Sequence, residues 1–432
     1  MRAGAPGPRC DGLAGVAGVP VGHDVLMHET PALDVRALLE AVENASPAAA
    51  VTTAAQHLED AVGARQVAFW IADAAGQALL RIPDGERLEV EKSPAGTAWR
   101  EQRVEWDGSW WVPVTVRGDA QGVLEIRFHT DPPTADISDG VLEHLQTVAH
   151  LLGYVLVASQ RHTDEYETGR RSTSFELAME IQRRLLPQAF VCEGGSFTLA
   201  GWLEPSSSAG GDTFDYIASR DRLTVSLIDA VGHHVNAALL ATLTVNAMRK
   251  ARRDDGDLRS QAHAADAALM RHARPEEYAT GVILELPLGD EPAGAGSGSE
   301  TLLVRVVNAG HPPIRLVRDG TVTTVDIAPD PPFGLDLGRA EKGFTCHPLE
   351  LRAGDRLVLL TDGMYEQSAA TFDLDDHIAR TSDLHPRNAA QDIALAFREH
   401  VDGQPEDDAT FVILDWHGGT TSRDTAGGSD LT

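Results

Sequence analysis

The sequence has few of the residues that cross-link a small domain or carry a chain through a membrane. Three cysteines occur in 432 residues, Cys10, Cys192 and Cys346, and they lie far apart with no CxxC spacing. This spacing excludes a disulfide framework and a cysteine-based zinc site, and it predicts a reducing, cytoplasmic environment. No apolar run approaches the ~20 residues that a membrane-spanning helix needs, so we expect no membrane segment.

Positive charge is also scarce. The chain has 36 Lys and Arg residues against 65 Asp and Glu residues, which gives a formal net charge of −29. Such a field repels nucleic acids and anionic membranes, so neither is expected as a partner, and it suits sites that collect cations. The composition, 42% hydrophobic and 23% charged, is that of a globular protein, and the length predicts two or three domains.

The pattern over residues 31–160 is helix, strands, helix. The segment "RQVAFWIAD" predicts a strand, "SWWVPVTVRGDAQGVLEIRF" predicts a hairpin around "RGDAQG", and "DGVLEHLQTVAHLLGYVLVAS" predicts a closing helix with one apolar stripe. This order resembles a GAF sensory domain, which would bind a small ligand or dimerise. Trp99, Trp106, Trp110 and Trp111 could line a ligand pocket, but ordinary packing is favoured.

A charged and then amphipathic segment, residues 161–187, predicts a linker helix with a capping box at Thr173 and Glu176. We expect one helix to run through residues 142–186 and to pair with a second copy, so that the protein is a homodimer. Residues 1–30 and 418–432 are expected to be disordered, since they are short of large apolar residues.

Four segments of the C-terminal half place aspartates next to small residues at predicted strand ends. They are "AGGDTFDY" with Asp212 and Asp215, "LTVSLIDAVGHH" with Asp229, "GDRLVLLTDGMYE" with Asp362, and "EDDATFVILDW" with Asp407 and Asp408. A turn role is favoured for any one of them alone, but four together favour a shared site. Carboxylates without cysteine or clustered histidine select Mg²⁺ or Mn²⁺ over zinc.

These segments, with "FELAMEIQRRLLP", "NAGHPP" and "PPFGLDL", occur in the order seen in SpoIIE-type, RsbU-like phosphatases. The resemblance covers residues 175–416, and the family is the bacterial branch of the PPM metal-dependent serine/threonine phosphatases. It implies a β-sandwich flanked by helices, with metals at one end between the sheets, over residues 188–417. The whole chain is then an α+β protein with a GAF-like sensor, a linker helix and a phosphatase domain.

The resemblance also implies a site. The implied ligands of two or more Mn²⁺ or Mg²⁺ ions are Asp212, Asp215, Asp229, the carbonyl of Ala230, Asp362 and Asp407. Asp229 would bridge two ions, Asp362 and Asp407 would hold one of them, and Asp212 and Asp215 would act through metal-bound water. Asp229, Asp362 and Asp212 are therefore the expected catalytic residues.

Three further residues have open interpretations. His234 stands where the family usually has glycine, so it would crowd the loop after Asp229. His233 is either a general acid or a packed turn residue. In "NAGHPP", a structural turn through Asn308 and His311 is favoured over a catalytic role.

The expected activity is hydrolysis of phosphoserine or phosphothreonine on a regulatory protein. By resemblance, this substrate is a phosphorylated anti-anti-sigma (STAS-domain) protein, and a small molecule bound to the GAF-like domain would control the reaction. Two alternatives stay open: a non-catalytic pseudophosphatase that captures a phosphoprotein, and a ligand-binding sensor with the C-terminal half as its scaffold.

Overall fold

The structure is a computed structural model that describes residues 34–129, 139–170, 176–206, 210–288, 301–335, 343–365, 367–403 and 405–418, together with 425 and 427–429. The predicted disorder of residues 1–30 and the capping residue Thr173 lie outside these ranges. So does most of the predicted tail. None of the helices in these ranges is long and apolar enough to cross a membrane.

The N-terminal half is one antiparallel sheet with helices on both faces. Its six strands, in the order β3-β2-β1-β6-β5-β4, are β1 (Ala64–Ala72), β2 (Ala78–Ile82), β3 (Arg87–Glu89), β4 (Glu105–Trp106), β5 (Trp110–Val116) and β6 (Asp119–Phe128). Its helices are α1 (Val35–Asn44), α2 (Ala50–Val62), α3 (Pro94–Glu101) and α4 (Asp139–Ser159). Helices α1, α2 and α4 share one buried cluster with the sheet, and α3 packs on the other face.

The predicted strand, hairpin and closing helix of this half are confirmed. The hairpin turns at Arg117 and Gly118, whose φ angles are 51° and 82°, as a two-residue turn with positive φ at both positions requires. In α4, Leu145, Val148 and Leu152 are buried against the sheet, as the apolar stripe predicts. The GAF identity of this half stays a prediction.

Two of the tryptophans show ordinary packing. Trp111 is 4% exposed and packs edge-to-face on Trp70 with 5.8 Å between ring centroids. Trp106 lies at the surface, 36% exposed, against Trp110. Trp99 instead faces the C-terminal half.

The prediction of one helix through residues 142–186 is wrong within the described residues. Helix α4 ends at Ser159, a short α5 (Glu165–Gly169) follows, and α6 (Leu177–Leu185) is separate. The break has a packing cause. Tyr166 of α5 is fully buried and its hydroxyl donates to the carbonyl of Pro47 at 2.8 Å, so α5 is held against the N-terminal half.

The C-terminal half is a sandwich of two antiparallel sheets. The first has the order β15-β12-β11-β10-β9 and the second β14-β13-β16-β17-β8-β7. The strands are β7 (Val191–Glu193), β8 (Phe197–Glu204), β9 (Asp212–Ala218), β10 (Arg222–Ala230), β11 (Ala279–Pro287), β12 (Thr301–Ala309), β13 (Arg315–Arg318), β14 (Thr321–Thr324), β15 (His347–Arg352), β16 (Arg356–Leu360) and β17 (Ala409–Trp416).

Helices cover both outer faces of the sandwich. They are α7 (His234–Arg253), α8 (Leu258–His272), α9 (Leu374–Arg380) and α10 (Pro386–His400). Helices α7 and α8 pack on the first sheet, and α9 and α10 pack on the second. Apolar residues from both inner faces, such as Phe214, Leu227 and Val412, fill the space between the sheets. The arrangement agrees with the predicted helix-flanked β-sandwich.

Candidate metal centre

The inner faces of the sandwich change from apolar to polar at one end. Along β10, Leu223, Val225 and Leu227 face the core, so strand alternation makes Asp229 the next inward residue. Asp212 of β9 is the direct cross-strand partner of Asp229. Two of the predicted site residues are therefore neighbours on the inner face of the first sheet.

The second sheet supplies two threonines at the same end. Thr361 follows β16 and Thr410 belongs to β17, and alternation places both on the inner face. Their hydroxyl groups donate to the same oxygen, Oδ2 of Asp212, at 2.7 and 2.6 Å. Asp212 is thus held by both sheets at once.

The environment of Asp212 is crowded with negative charge. Asp212 is only 2% exposed. Burial raises the pKa of Asp212 well above its usual range, and the charges of Asp229 and Asp408 raise it further. The hydrogen bonds from Thr410 and Thr361 act in the opposite direction and lower this pKa. A divalent cation beside these carboxylates would relieve their repulsion.

Asp408 has a structural role. Its Oδ1 accepts from the amide of Ser206 at 2.9 Å, and its Oδ2 accepts from the amide of Gly210 at 3.0 Å. The same Oδ2 accepts from the Nε2 of Gln182 at 2.7 Å. Asp408 therefore fixes the glycine turn in front of Asp212, a role that its position in the sequence does not predict.

Gln182 is a second residue that the sequence argument missed. It lies on α6, is 3% exposed, and its Nε2 also donates to the carbonyl of Asp212 at 2.9 Å. One amide therefore joins helix α6 to both Asp212 and Asp408. Its burial could have been inferred from the apolar face of "FELAMEIQRRLLP", although its partners could not.

Asp362 and Asp407 lie at the rim of the same end. Asp362 begins a short 3₁₀ turn directly after Thr361, and Oδ1 of Asp407 accepts from the amide of Asp408 at 2.8 Å. Partial burial raises the pKa of Asp407, and the hydrogen bond from the Asp408 amide lowers it. The negative charges of Asp408 and Asp362 raise the pKa of Asp407 further. A side chain at Gly363 would come within 2.0 Å of the Asp408 carbonyl, so only glycine fits here.

The carbonyl of Ala230 lies beside the glycine turn of "AGGD". The Ala230 amide donates to the carbonyl of Gly211 at 3.1 Å, and a side chain at Gly211 would come within 2.5 Å of the Ala230 oxygen. This close approach explains the glycine and keeps the carbonyl next to Asp229.

The structure does not bring Asp215 to this group. Asp215 is three residues after Asp212 and therefore lies on the opposite face of β9, towards α7. Its carboxylate forms ion pairs with Arg249 at 2.8 Å and with Arg252 at 3.1 Å. These pairs hold α7 to the sheet.

Asn308 closes the turn of "NAGHPP". Its Oδ1 accepts from the amide of His311 at 2.8 Å, and its Nδ2 donates to the His311 carbonyl at 3.1 Å. His311 is buried, and burial lowers its pKa to about 3. These bonds agree with the structural interpretation of this motif.

The donor set has the chemistry that Mg²⁺ or Mn²⁺ requires, since it consists of carboxylate and carbonyl oxygens. Among the residues that the structure describes, no group of three or more His, Cys, Asp or Glu side chains lies close enough together to hold a metal ion. The carboxylates share one end of the sandwich without converging on one point.

His234 has a strained backbone. Its φ is 57°, in the left-handed region that favours glycine, and its side chain is exposed at the start of α7. His234→Gly should therefore leave the free energy of unfolding nearly unchanged, while His234→Val should lower it by ~1 kcal/mol or more. Urea unfolding measures both, with Leu239→Val on the same helix as the control. Equal free energies of unfolding for the two His234 variants would contradict a strained backbone at His234.

Loss of the Gln182 amide should weaken the site. Gln182→Ala removes both bonds, and we expect a loss of ~1–3 kcal/mol in unfolding free energy together with slower turnover. Gln182→Glu should be worse, because it places a carboxylate against Asp408. Gln56→Ala, at an exposed position of α2, is the control. Unchanged stability and turnover in Gln182→Glu would show that the contact has no role.

Residues 219–417 match the protein family described as Stage II sporulation protein E (SpoIIE). The C-terminal half therefore contains a SpoIIE-family domain. The match leaves the N-terminal half unassigned.

Relatives and solved structures are each similar to a little more than half of the chain. The phosphoserine phosphatase RsbP of Bacillus subtilis (strain 168) is 23% identical over 254 residues, which cover 56% of this chain and 57% of RsbP, so the chain spans little more than half of that relative. The RsbU and RsbW domains of Rv1364c from Mycobacterium tuberculosis are 24% identical, with a TM-score of 0.44 over 54% of this chain and 62% of that one. The PP2C phosphatase domain of SpoIIE from Bacillus subtilis, solved with a fragment of its regulatory domain, is 18% identical, with a TM-score of 0.43 over 52% of this chain and 64% of that one.

Proposed function

We propose that the protein is a Mg²⁺- or Mn²⁺-dependent protein serine/threonine phosphatase. One observation carries the proposal: the cross-strand pair Asp212 and Asp229, tied to the second sheet by Thr361 and Thr410, lies at one end of a SpoIIE-family sandwich. The rim aspartates lie at the same end, since Asp362 follows β16 and Asp407 precedes β17.

In this proposal Asp229, Asp362, Asp407 and the carbonyl of Ala230 hold the cations. Bound cations would neutralise phosphoryl oxygens and lower the pKa of a coordinated water. The two threonines fix Oδ2 of Asp212, so that both sheets set the orientation of its carboxyl group. The chain thereby orients water and holds the phosphate monoester at that end.

We propose a phosphorylated anti-anti-sigma (STAS-domain) protein as the substrate. The order of the motifs and the similarity to RsbP, described as a phosphoserine phosphatase, support this choice. Control by a small molecule through the GAF-like domain and the homodimer are part of the same proposal. Both rest on the resemblance of the N-terminal half to GAF domains, because α4, α5 and α6 do not form the continuous helix that was expected to pair with a second copy.

One observation favours a second candidate, a non-catalytic pseudophosphatase that captures a phosphoprotein. Within the described ranges, no three His, Cys, Asp or Glu side chains lie close enough together to hold a metal ion. A capture protein would bind the phosphoprotein and leave it phosphorylated.

The two candidates differ in turnover. The full chain is incubated with Mn²⁺ and a panel of phosphorylated STAS-domain proteins, and free phosphate and bound protein are both measured. We expect many phosphates released per enzyme for at least one member of the panel. Stable binding with no release would support the pseudophosphatase and contradict the proposed activity.

A further inference from the structure

Arg398 of α10 contacts both halves of the chain. Its Nη2 donates to the main-chain carbonyl of Ala75 in the N-terminal half at 2.7 Å, and its Nε donates to Oε2 of Glu204 at 2.6 Å. The guanidinium group also lies 5.6 Å from the centroid of the Trp202 ring. Three contacts therefore hold one planar group, a task that suits the rigid fork of arginine.

The ion pair between Arg398 and Glu204 is sheltered from water. The two side chains are 16% and 14% exposed, so salt screens this pair less than an exposed one. Burial raises the pKa of Glu204, and the charge and the hydrogen bond of Arg398 lower it. The charged form of Glu204 therefore depends on Arg398.

Glu204 lies next to the acidic end of the sandwich. It is the last residue of β8 and the cross-strand partner of Ala409, which directly follows Asp408. Two residues after Glu204, the amide of Ser206 donates to Oδ1 of Asp408 at 2.9 Å. Asp408 in turn holds the glycine turn in front of Asp212. The position of Glu204 therefore affects how the chain enters the acidic end.

The carbonyl of Ala75 belongs to a turn that is itself fixed. This turn, residues 73–77, joins β1 to β2 of the N-terminal sheet. Oδ1 of Asp73 accepts from the amides of Gln77 and Ala78 at 2.7 and 3.1 Å. The turn therefore follows the position of the sheet that carries it.

We propose that Arg398 is a positioning residue, which transmits the position of the N-terminal half to the acidic end of the sandwich. A shift of the 73–77 turn removes the carbonyl that fixes the guanidinium group. This loosens Glu204 and then the bond between the Ser206 amide and Asp408. Coupling along such a series of contacts is an energy that can be measured. Its effect on phosphate release rests on the proposed function, whereas the coupling itself does not.

Amide hydrogen exchange tests the coupling on the full chain with EDTA present, so that phosphate release plays no part. The amides of Ser206 and Gly210 both donate to Asp408. Arg398→Ala should speed the exchange of both amides by about tenfold or more, because these bonds open more often. Arg398→Lys keeps the charge without the planar fork and should give a smaller increase. Arg380→Gln, at an exposed position of α9, should exchange like the wild type.

A variant in the N-terminal half tests the transmission. Asp73→Ala releases the 73–77 turn without changing any residue of the sandwich, and it should speed the exchange of the Ser206 and Gly210 amides. Asp73→Asn, whose side-chain oxygen can still accept, should do so less. The amides of α8, which packs on the other sheet, should keep their wild-type rates in every variant.

Three results of the exchange experiment would overturn the proposal. They are wild-type rates for the Ser206 and Gly210 amides in Arg398→Ala, faster exchange confined to the 73–77 turn in Asp73→Ala, and equally faster exchange in α8. The last result would show a general loss of stability instead of a local effect.

Phosphate release from p-nitrophenyl phosphate with Mn²⁺ is measured in parallel. We expect Arg398→Ala to lower kcat several-fold and to change KM little, because the residues that it positions are assigned to the chemical step. Faster exchange with an unchanged kcat would overturn the positioning role. Faster exchange in the variants of a wild type that has no phosphatase activity would leave the coupling in place and contradict only the proposed function.

Discussion

Replacing Asp229 or Asp362 with asparagine should lower the rate of phosphate release by orders of magnitude while the fold survives. Asparagine keeps the size of the side chain but removes the negative charge that attracts a divalent cation. Asp229 is the cross-strand neighbour of Asp212, and Asp362 lies at the rim beside Asp407. Each substitution therefore removes one negative charge from the proposed site.

A less stable fold should not be the cause of the lower rate of phosphate release. The pKa of Asp212 is raised by burial first and then by Asp229 and Asp408. A carboxyl group with a raised pKa in the folded state makes the metal-free fold less stable as pH rises through that pKa. Asp229→Asn removes one of the causes, so its metal-free form should unfold at a temperature no lower than the wild type.

The control is Asp255→Asn, at an exposed position outside the site. It should leave both turnover and Tm unchanged. If Asp229→Asn and Asp362→Asn both turn over near the wild-type rate with unchanged metal dependence, the assignment of the site is wrong.

Removal of divalent cations should abolish phosphate release, and Mn²⁺ or Mg²⁺ should restore it. The assigned donors are carboxylate and carbonyl oxygens, which prefer these hard cations, so zinc should restore activity less well. The measurement is phosphate release from metal-stripped protein titrated with each cation, and circular dichroism checks that the stripped protein is folded. Full activity after stripping, or a better response to zinc than to manganese, would contradict the proposed chemistry.

Local sequence patterns were sufficient to predict the elements whose residues follow a regular apolar period. The turn at Arg117 and Gly118 follows from the glycine and the flanking alternation, and the apolar stripe of α4 follows from its 3.6-residue period. The same alternation, extended along β16 and β17, leads from the apolar core to Thr361 and Thr410. These two residues could therefore have been found from the strand pattern.

Other features depend on contacts that a single sequence does not reveal. Asp215 sits in the same motif as Asp212, but strand alternation turns it towards Arg249 and Arg252. The break between α4 and α5 depends on the burial of Tyr166 against Pro47. The bonds of Gln182 join residues 30 and 226 positions apart in the chain.

The most direct measurement of the proposed site is Mn²⁺ binding itself, recorded by electron paramagnetic resonance on the full chain. The wild type and Asp255→Asn should each bind about two Mn²⁺ ions, the number that a two-metal hydrolytic centre needs. Asp229→Asn should lose both ions, because its carboxylate is proposed to help hold them. Equal Mn²⁺ binding by the wild type and Asp229→Asn would contradict a metal centre at this end of the sandwich.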